Sequence, residues 1–377
     1  MPIASFALGL LVLLQISQQP RVRHLPEPTA RSVHGYTYIT GVRELRDRRV
    51  IVVDADEQAV YVVASDLSRH YQIGRTGSGP GEYRLPSRIL PLSGDSTGIL
   101  DESRVLIITP DAQIGESILL PSASPALDTP WAGSSPPQAT DGSARFYALA
   151  SPIVPGPGGA WRATDSAAII RWRSERDVDT AAFVPANVRG AQLIGRMVAT
   201  PPRGPFAAAP TWAIAPDGRV AVVHPDPYHV IFYHSRRRTT IGPSIPYRRI
   251  EIADDYKEVW RVDQQRPRPL TIRQRGETGT AIVRMSPPYR EPDAWPEHLP
   301  PFLAEGAIFA PDGRLWVQRT QAPSEGSSWD VFDEAGRIIE TVRAAPNSRL
   351  AGFGVNALYI IRRNVDDVEH LERYALR

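Results

Sequence analysis

The sequence predicts an all-β fold, a six-bladed β-propeller of four-stranded antiparallel blades, on three observations. Short β-branched runs alternate with turn-forming clusters along most of the chain. An Ala-Pro-Asp-Gly turn recurs between two strands at residues 215–218 and again at residues 310–313. Six such units can be traced, most of them near the ~40–50 residues of one propeller blade. A single unit cannot bury both faces of its sheet. Six packed radially around a channel can, and they leave only short, protected edges.

Residues 1–20 read as a signal peptide or an uncleaved N-terminal anchor. Ile3 to Leu14 is an unbroken apolar run, too short to span a bilayer but of the length of a secretory signal core. The expected location is periplasmic or extracellular, with membrane contact only through this segment. Residues 21–377 are expected to form one propeller, monomeric.

The units follow in order. Residues 48–73 give two β-branched strands joined by an acidic turn, and residues 97–119 repeat that pattern. Residues 144–184 form a third unit with its first turn at Gly156 to Gly159. The fourth and fifth, residues 211–234 and 305 onward, carry the Pro-Asp-Gly turns, with Gly218 and Gly313 placed to take positive φ. In the fifth, Leu315 and Val317 alternate with Trp316 and Gln318, the period of a strand. The sixth, residues 349–374, runs out after three strands at Tyr374. Ring closure therefore predicts an outermost strand borrowed from the N-terminus, within Val22 to His34.

Residues 247–302 interrupt the repeat and read as an insertion between blades four and five, lying over one mouth of the propeller. Ile252, Tyr256, Val259 and Trp260 fall at helical spacing ahead of Pro267. Residues 286–301 are dense in proline and aromatics and are expected to be irregular. Insertions on repeat folds often carry the binding face; the competing reading is a plug for the channel.

The stretch at residues 73–89 contains Gly77, Gly79, Pro80, Gly81, Glu82 and Tyr83, then Pro86. It resembles the inter-blade signature of a broad bacterial family of secreted six-bladed β-propellers, related to NHL-repeat propellers. Residues 295–302 followed by 312–317 are similar to a second feature of such proteins. The resemblance implies the propeller fold and, because the family is mostly uncharacterised, no reaction. Physically, the glycines let the backbone cross closely from one blade to the next, and Glu82 can accept from backbone amides there. The sharper reading is an anion-binding nest beside Arg75. No Lys-Ser/Thr follows to make a Walker loop, and proline with a strand stands where a dinucleotide fingerprint needs a helix.

Composition removes several chemistries. There is no cysteine, so disulfides, thiolate nucleophiles and iron–sulfur ligation are excluded. Lys257 is the only lysine, and Schiff-base chemistry would rest on it alone. A net charge of +2 gives no overall pull toward nucleic acid, and no nucleic-acid partner is expected. No Gly-x-Ser-x-Gly elbow or His-Glu-x-x-His pair is present. The run Arg236 to Arg238 reads as an exposed hairpin turn, a weak basic patch.

Candidate binding residues come from the inner strands and the insertion. The inner strands are expected to offer Glu44, Arg88, Arg145, Trp212, Glu305 and Arg349. Arginines there suit an anionic ligand; the plainer reading is that they bridge neighbouring blades through Asp and Glu. Tyr289 and Trp295 are loop aromatics able to stack on sugar or peptide. The candidate ligand site is thus Arg88, Arg145, Trp212, Tyr289, Trp295 and Arg349. His224, His229 and His234 are spaced by five across a Pro-rich turn, which does not place them on one strand face; no metal, cofactor or catalytic residue is assigned. The leading function is non-catalytic binding of a protein, peptide or glycan. The alternative is a propeller enzyme, a lactonase-like hydrolase or a lyase, acting at the channel mouth.

Overall fold

Gly218 and Gly313 both sit at φ 82°, and each closes a hairpin through two backbone bonds around its Ala-Pro-Asp-Gly turn. Gly218 N–H donates to Ala215 O at 2.9 Å, and Ala215 N–H donates to Arg219 O at 2.8 Å; Gly313 and Ala310 repeat this with Ala310 and Arg314. Only glycine takes this left-handed conformation without steric cost. The computed structural model that contains these turns describes residues 20–120, 135–150, 153–155, 161–174, 176–185, 192–194, 197–199, 205–234, 238–265, 270–276, 279–285, 291–322 and 325–376.

The described strands form six four-stranded antiparallel blades. Blade one is Ile39–Glu44, Val50–Asp54, Ala59–Val63 and His70–Gln72, from inner to outer edge. Blade two is Pro86–Pro91, Thr97–Asp101, Arg104–Ile108 and Ile114–Leu119. Blade four is Thr211–Ile214, Val220–Pro225, Tyr228–Tyr233 and Thr239–Ile241. Blade five is Phe302–Phe309, Leu315–Arg319, Ser328–Phe332 and Ile338–Arg343. The second strands are wholly or largely buried, as in Val50–Asp54, because both faces of a middle strand pack against neighbouring blades. Separate apolar clusters fill the seams, for example Ala221, Val223, Tyr228 and Phe232 of blade four against Phe302, Val317 and Phe332 of blade five.

Blade six shows how the ring closes. Ser348–Gly354, Ala357–Arg363 and Glu369–Ala375 supply three strands, and Ala30–Arg31 pairs antiparallel with Glu369–Ala375 as the fourth. This strand lies inside the interval expected for it. The N-terminal segment also does something the repeat pattern did not suggest. Arg21–His24 pairs in parallel with Ile338–Arg343 and gives blade five a fifth, outermost strand. One short stretch thus fastens two blades.

Blade three corrects one expectation. Its inner strand is the two-residue Ala139–Thr140, and Phe146–Leu149, Ser166–Ser174 and Asp177–Pro185 follow outward. Arg145 therefore lies on the turn before the second strand, not on the inner strand. A hairpin, Ile153–Pro155 with Trp161–Ala163, leaves the blade between its second and third strands; Gly156 to Gly159, read as the blade's first turn, lie outside the described residues. So short an inner strand carries too little periodicity to read.

Between blades four and five stand a helix, Asp254–Gln265, and a hairpin, Leu270–Gly276 with Gly279–Met285. The helix was expected and the hairpin was not, although residues 270–285 do contain two β-branched runs. Ile252 and Tyr256 pack with Leu299 and Trp295 in a small core of their own, while Val259 is exposed. Among the described residues no helix is long and apolar enough to cross a membrane.

Candidate functional site

In blades one, two and five the first residue of the inner strand pairs with the last residue of the blade's second strand. In blade one that pair is Ile39 with Asp54, and in blade two it is Pro86 with Asp101. Both carboxylates turn back onto the chain entering the blade. Asp54 accepts from the backbone N–H of Thr37 at 2.7 Å and of Tyr38 at 3.2 Å. Asp101 accepts from Arg84 at 2.9 Å and Leu85 at 2.7 Å. Both acids are essentially buried. Burial pushes the Asp54 carboxyl above its usual range, against the backbone donors that lower it. These acids seal their mouths.

Blade five departs from that arrangement. Phe302 pairs with Arg319, so a guanidinium stands where blades one and two place a carboxylate. Beside it opens a cleft of about 530 Å³. Its walls come from the ends of several elements: Arg319 at the end of the second strand and Thr320 after it, Gly326 before the third, Arg343 at the end of the fourth, and His24 at the end of the N-terminal strand. Tyr247, Arg248, Ile250 and Leu299 to Pro301 complete it from the chain that joins blades four and five.

Beneath the cleft lies a buried polar cluster. Asp330, fully buried, accepts the Tyr228 hydroxyl at 3.0 Å and the Thr341 hydroxyl at 3.2 Å, and Arg319 Nε lies 3.6 Å from its Oδ2. Burial raises the Asp330 carboxyl above its ordinary value while Arg319 opposes the shift. The Tyr228 hydroxyl is pushed well up, by burial first and by Asp330 next. The cluster orients Arg319 at the floor of the cleft. On its wall Arg248 Nη2 donates to Glu325 at 2.7 Å, and this contact holds the Glu325 carboxyl below its usual range.

The residues anticipated from sequence do not come together. Arg349 donates to Ile39 O at 2.8 Å and to Glu369 at 3.3 Å. Glu369 in turn accepts from Ile39 N–H at 2.7 Å and from Arg363 at 2.9 Å. That arginine bridges blades six and one, and the hollow of about 170 Å³ beside it is lined by these same ion-paired groups. Arg88 stands half-buried on the inner strand of blade two, opposite Leu100. Trp212 packs in the seam of blades three and four. Arg145 has moved to a turn, as described above. Trp295 stacks edge-on with Trp260 at 5.2 Å and carries the Arg261 guanidinium 5.6 Å from its ring centre, so its faces serve the packing of the excursion. Tyr289 lies outside the described residues, as do residues 1–19 and most of Arg236 to Arg238. Of the two inner-strand acids, Glu44 accepts the Tyr359 hydroxyl at 2.5 Å and Val355 N–H at 3.0 Å, and Glu305 is exposed on an irregular stretch of its strand.

The glycine-rich motif has a structural occupant. Glu82 accepts from Gly79 N–H at 2.6 Å and from Arg75 Nε at 2.7 Å, so the nest holds the chain's own carboxylate. Those two contacts, the backbone donor first, keep the Glu82 carboxyl low. Gly77 lies directly against the Glu82 carboxylate, so a side chain there would have to displace it. Tyr83 is fully buried between blades one and two, and its hydroxyl accepts from Val60 N–H and Gln72.

The histidine spacing also needs correction. His224 and His229 are cross-strand partners around the Asp226–Pro227 turn, so they do share a face, with rings stacked 4.7 Å apart. A two-residue turn makes positions five apart direct partners. Among the described residues no group of three or more metal-ligating side chains converges.

Arg248, Arg319, Arg343, His24 and Tyr247 were not singled out from the sequence. The signal available was positional: once blades are aligned, Arg319 falls in the place of Asp54 and Asp101.

No family model and no curated protein matches this chain. Its fold is similar to several solved structures. Regucalcin, a calcium-binding protein of Agrobacterium tumefaciens, gives a TM-score of 0.46 at 10% identity, over 95% of this chain and 98% of that one. A gluconolactonase of Xanthomonas campestris gives 0.45 at 11%, over 94% and 98%. A luciferin-regenerating enzyme gives 0.44 at 13%, over 91% and 92%.

Proposed function

We propose that this chain is an exported propeller that binds a protein, peptide or glycan in the cleft over blade five, without catalysing a reaction. The observation that carries the reading is the exchange at the mouth. Asp54 and Asp101 close blades one and two onto the entering chain, whereas Arg319 at the matching place leaves a concavity of about 530 Å³. That volume lies within the range of about 300–1,000 Å³ common to small-ligand sites. Export rests on the apolar run Ile3 to Leu14.

Filling the cleft tests the proposal. Ala344 lines it and is half-buried beside Trp316 and Trp329, so Ala344→Trp should abolish binding on glycan and peptide arrays, with a melting curve run beside it to show that the variant is folded. Array binding that survives this substitution overturns the reading. The second reading, a propeller hydrolase or lyase, keeps exposed Glu305 on the inner strand of blade five. Calcium-dependent thermal stabilisation with lactone turnover would favour it, because a ligand that binds only the folded state raises its stability.

A further inference from the structure

We infer that the ligand of this cleft is an acidic glycan, a uronate-bearing sugar whose carboxylate is held by Arg343 and His24; the inference rests on the binding reading above. Four basic side chains line the cleft, His24, Arg248, Arg319 and Arg343, against the single acid Glu325. Two of the four already have partners. Arg248 is paired with Glu325 at 2.7 Å and Arg319 faces Asp330 at 3.6 Å. Arg343 and His24 are different. They are register partners on adjacent parallel strands, both reach the cleft wall, and among the described residues neither side chain has a hydrogen bond or ion pair. Glu325 acts on Arg343 only through a longer-range attraction. An uncommitted guanidinium fork beside an imidazole matches the geometry of a carboxylate, and charge-assisted bonds of this kind are the stronger ones.

The rest of the lining selects among carboxylates. Tyr247 offers a ring, and Pro300 and Pro301 add flat apolar surface. Gln321 adds a side-chain amide whose nitrogen donates to Ser328 Oγ and whose oxygen is left to accept. Ring, flat apolar surface and amide together suit a pyranose. An extended peptide would instead add a strand to an open sheet edge. The edge of blade five next to the cleft is the four-residue, mostly exposed strand Arg21–His24, which pairs along Ile338–Arg343 and offers such a peptide only a short template. The site therefore suits a compact ligand that enters from above.

The test uses the full chain and four probes: trigalacturonate, the neutral trisaccharide of galactose, triglutamate and inorganic sulfate, each followed by calorimetry and thermal shift. Trigalacturonate should bind, with affinity falling as salt rises. Arg343→Gln should weaken it by about 10–100-fold, the worth of a hydrogen bond to a charged group. Arg343→Lys should recover only part of that, and His24→Asn should lose less. The Arg343 side chain is exposed, so neither variant should alter folding, and an unchanged melting temperature confirms it. Equal binding of the neutral trisaccharide would sink the carboxylate inference and leave the binding reading standing. Preference for triglutamate, or equal binding of sulfate, would overturn the glycan class. Trigalacturonate binding that persists unchanged in Ala344→Trp would overturn both.

Discussion

Asp101 accepts the backbone N–H of Leu85 at 2.7 Å, and through that bond the last residue of one strand fixes where the blade's inner strand begins. Arg84 N–H joins the same oxygen, and Arg104 pairs with the other one at 2.8 Å. The neighbouring blade uses Asp54 in the same way. Removing either acid strands backbone donors that the fold has taken out of water. Asp101→Ala is expected to cost about 3 kcal/mol, at the upper end for an unsatisfied buried group. Arg319→Ala, at the matching place in blade five, should cost less, since the buried Asp330 carboxyl that it leaves behind keeps the Tyr228 and Thr341 hydroxyls as donors. Urea denaturation of the two variants compares them directly, and equal losses would show that the sealing role is not the acids' own.

Ring closure makes a second prediction. Arg23 forms a two-pronged pair with Glu340, at 2.8 and 3.2 Å, and both side chains are mostly buried. The pair ties the N-terminal strand to blade five. A double-mutant cycle with Arg23→Ala and Glu340→Ala should give a coupling of about 1 kcal/mol or more, because this contact is better shielded than a surface ion pair. Amide exchange should report the same event locally. Leu25 N–H, bonded to Arg343 O at 2.8 Å, should lose protection in Arg23→Ala while Ser32 N–H, bonded in blade six to Leu371 O, keeps it. Loss at both positions would mean that the segment releases as one piece.

The buried cluster below the cleft gives a third. Tyr228 packs against Phe302 and Phe332 and donates its hydroxyl to Asp330. Tyr228→Phe keeps that packing and removes one donor from a buried carboxylate, so it should lower stability by about 1–3 kcal/mol. Asp330 also faces Arg319, which makes weaker ligand binding the second expected readout. A variant as stable as the parent would show that water replaces the hydroxyl, contrary to the burial of both groups.

How much of this was legible follows from what each feature needs. Gly218 and Gly313 announce their turns because the chemistry is local: proline sets one dihedral and glycine permits the next. The borrowed strand at Ala30–Arg31 could be inferred from a deficit, since blade six visibly lacked a fourth strand. Arg21–His24 could not, because blade five was already complete and nothing in a four-residue polar stretch signals a parallel partner. The site was obscured for a related reason. Arg349 and Arg343 look alike in sequence, yet one faces Glu369 and the other faces a cleft. Which of them stays uncommitted depends on side chains roughly 20 and 320 residues away, Glu369 for Arg349 and the His24 strand for Arg343. Trp295 illustrates the converse. A loop tryptophan suggests a platform, but the helix beside it brings Trp260 and Arg261 onto its edge and face.

The last prediction concerns acid. At the seam of blades six and one, His34 stacks on His70 with ring centres 4.0 Å apart and meets Tyr36 edge-on at 4.7 Å. Burial, then the charge of His70, lowers the His34 pKa below its ordinary value, and nearby Glu57 and Asp54 offset only part of that. His224 is lowered likewise, by burial and then by His229. The sign follows from linkage. Below about pH 6.5 the unfolded chain takes up protons at these histidines that the folded chain resists, so unfolding gains protons and stability falls as pH falls. The contribution is whole above the unfolded value and declines from there toward the lowered folded values. Denaturation between pH 7.5 and 5.5 should therefore show stability dropping. His34→Gln should flatten that slope, since glutamine does not titrate. His70→Gln should flatten it as well, because removing a neighbouring charge lets the His34 value climb back toward normal. A single offset at every pH, with the slope unchanged, would mean that the stack contributes packing alone.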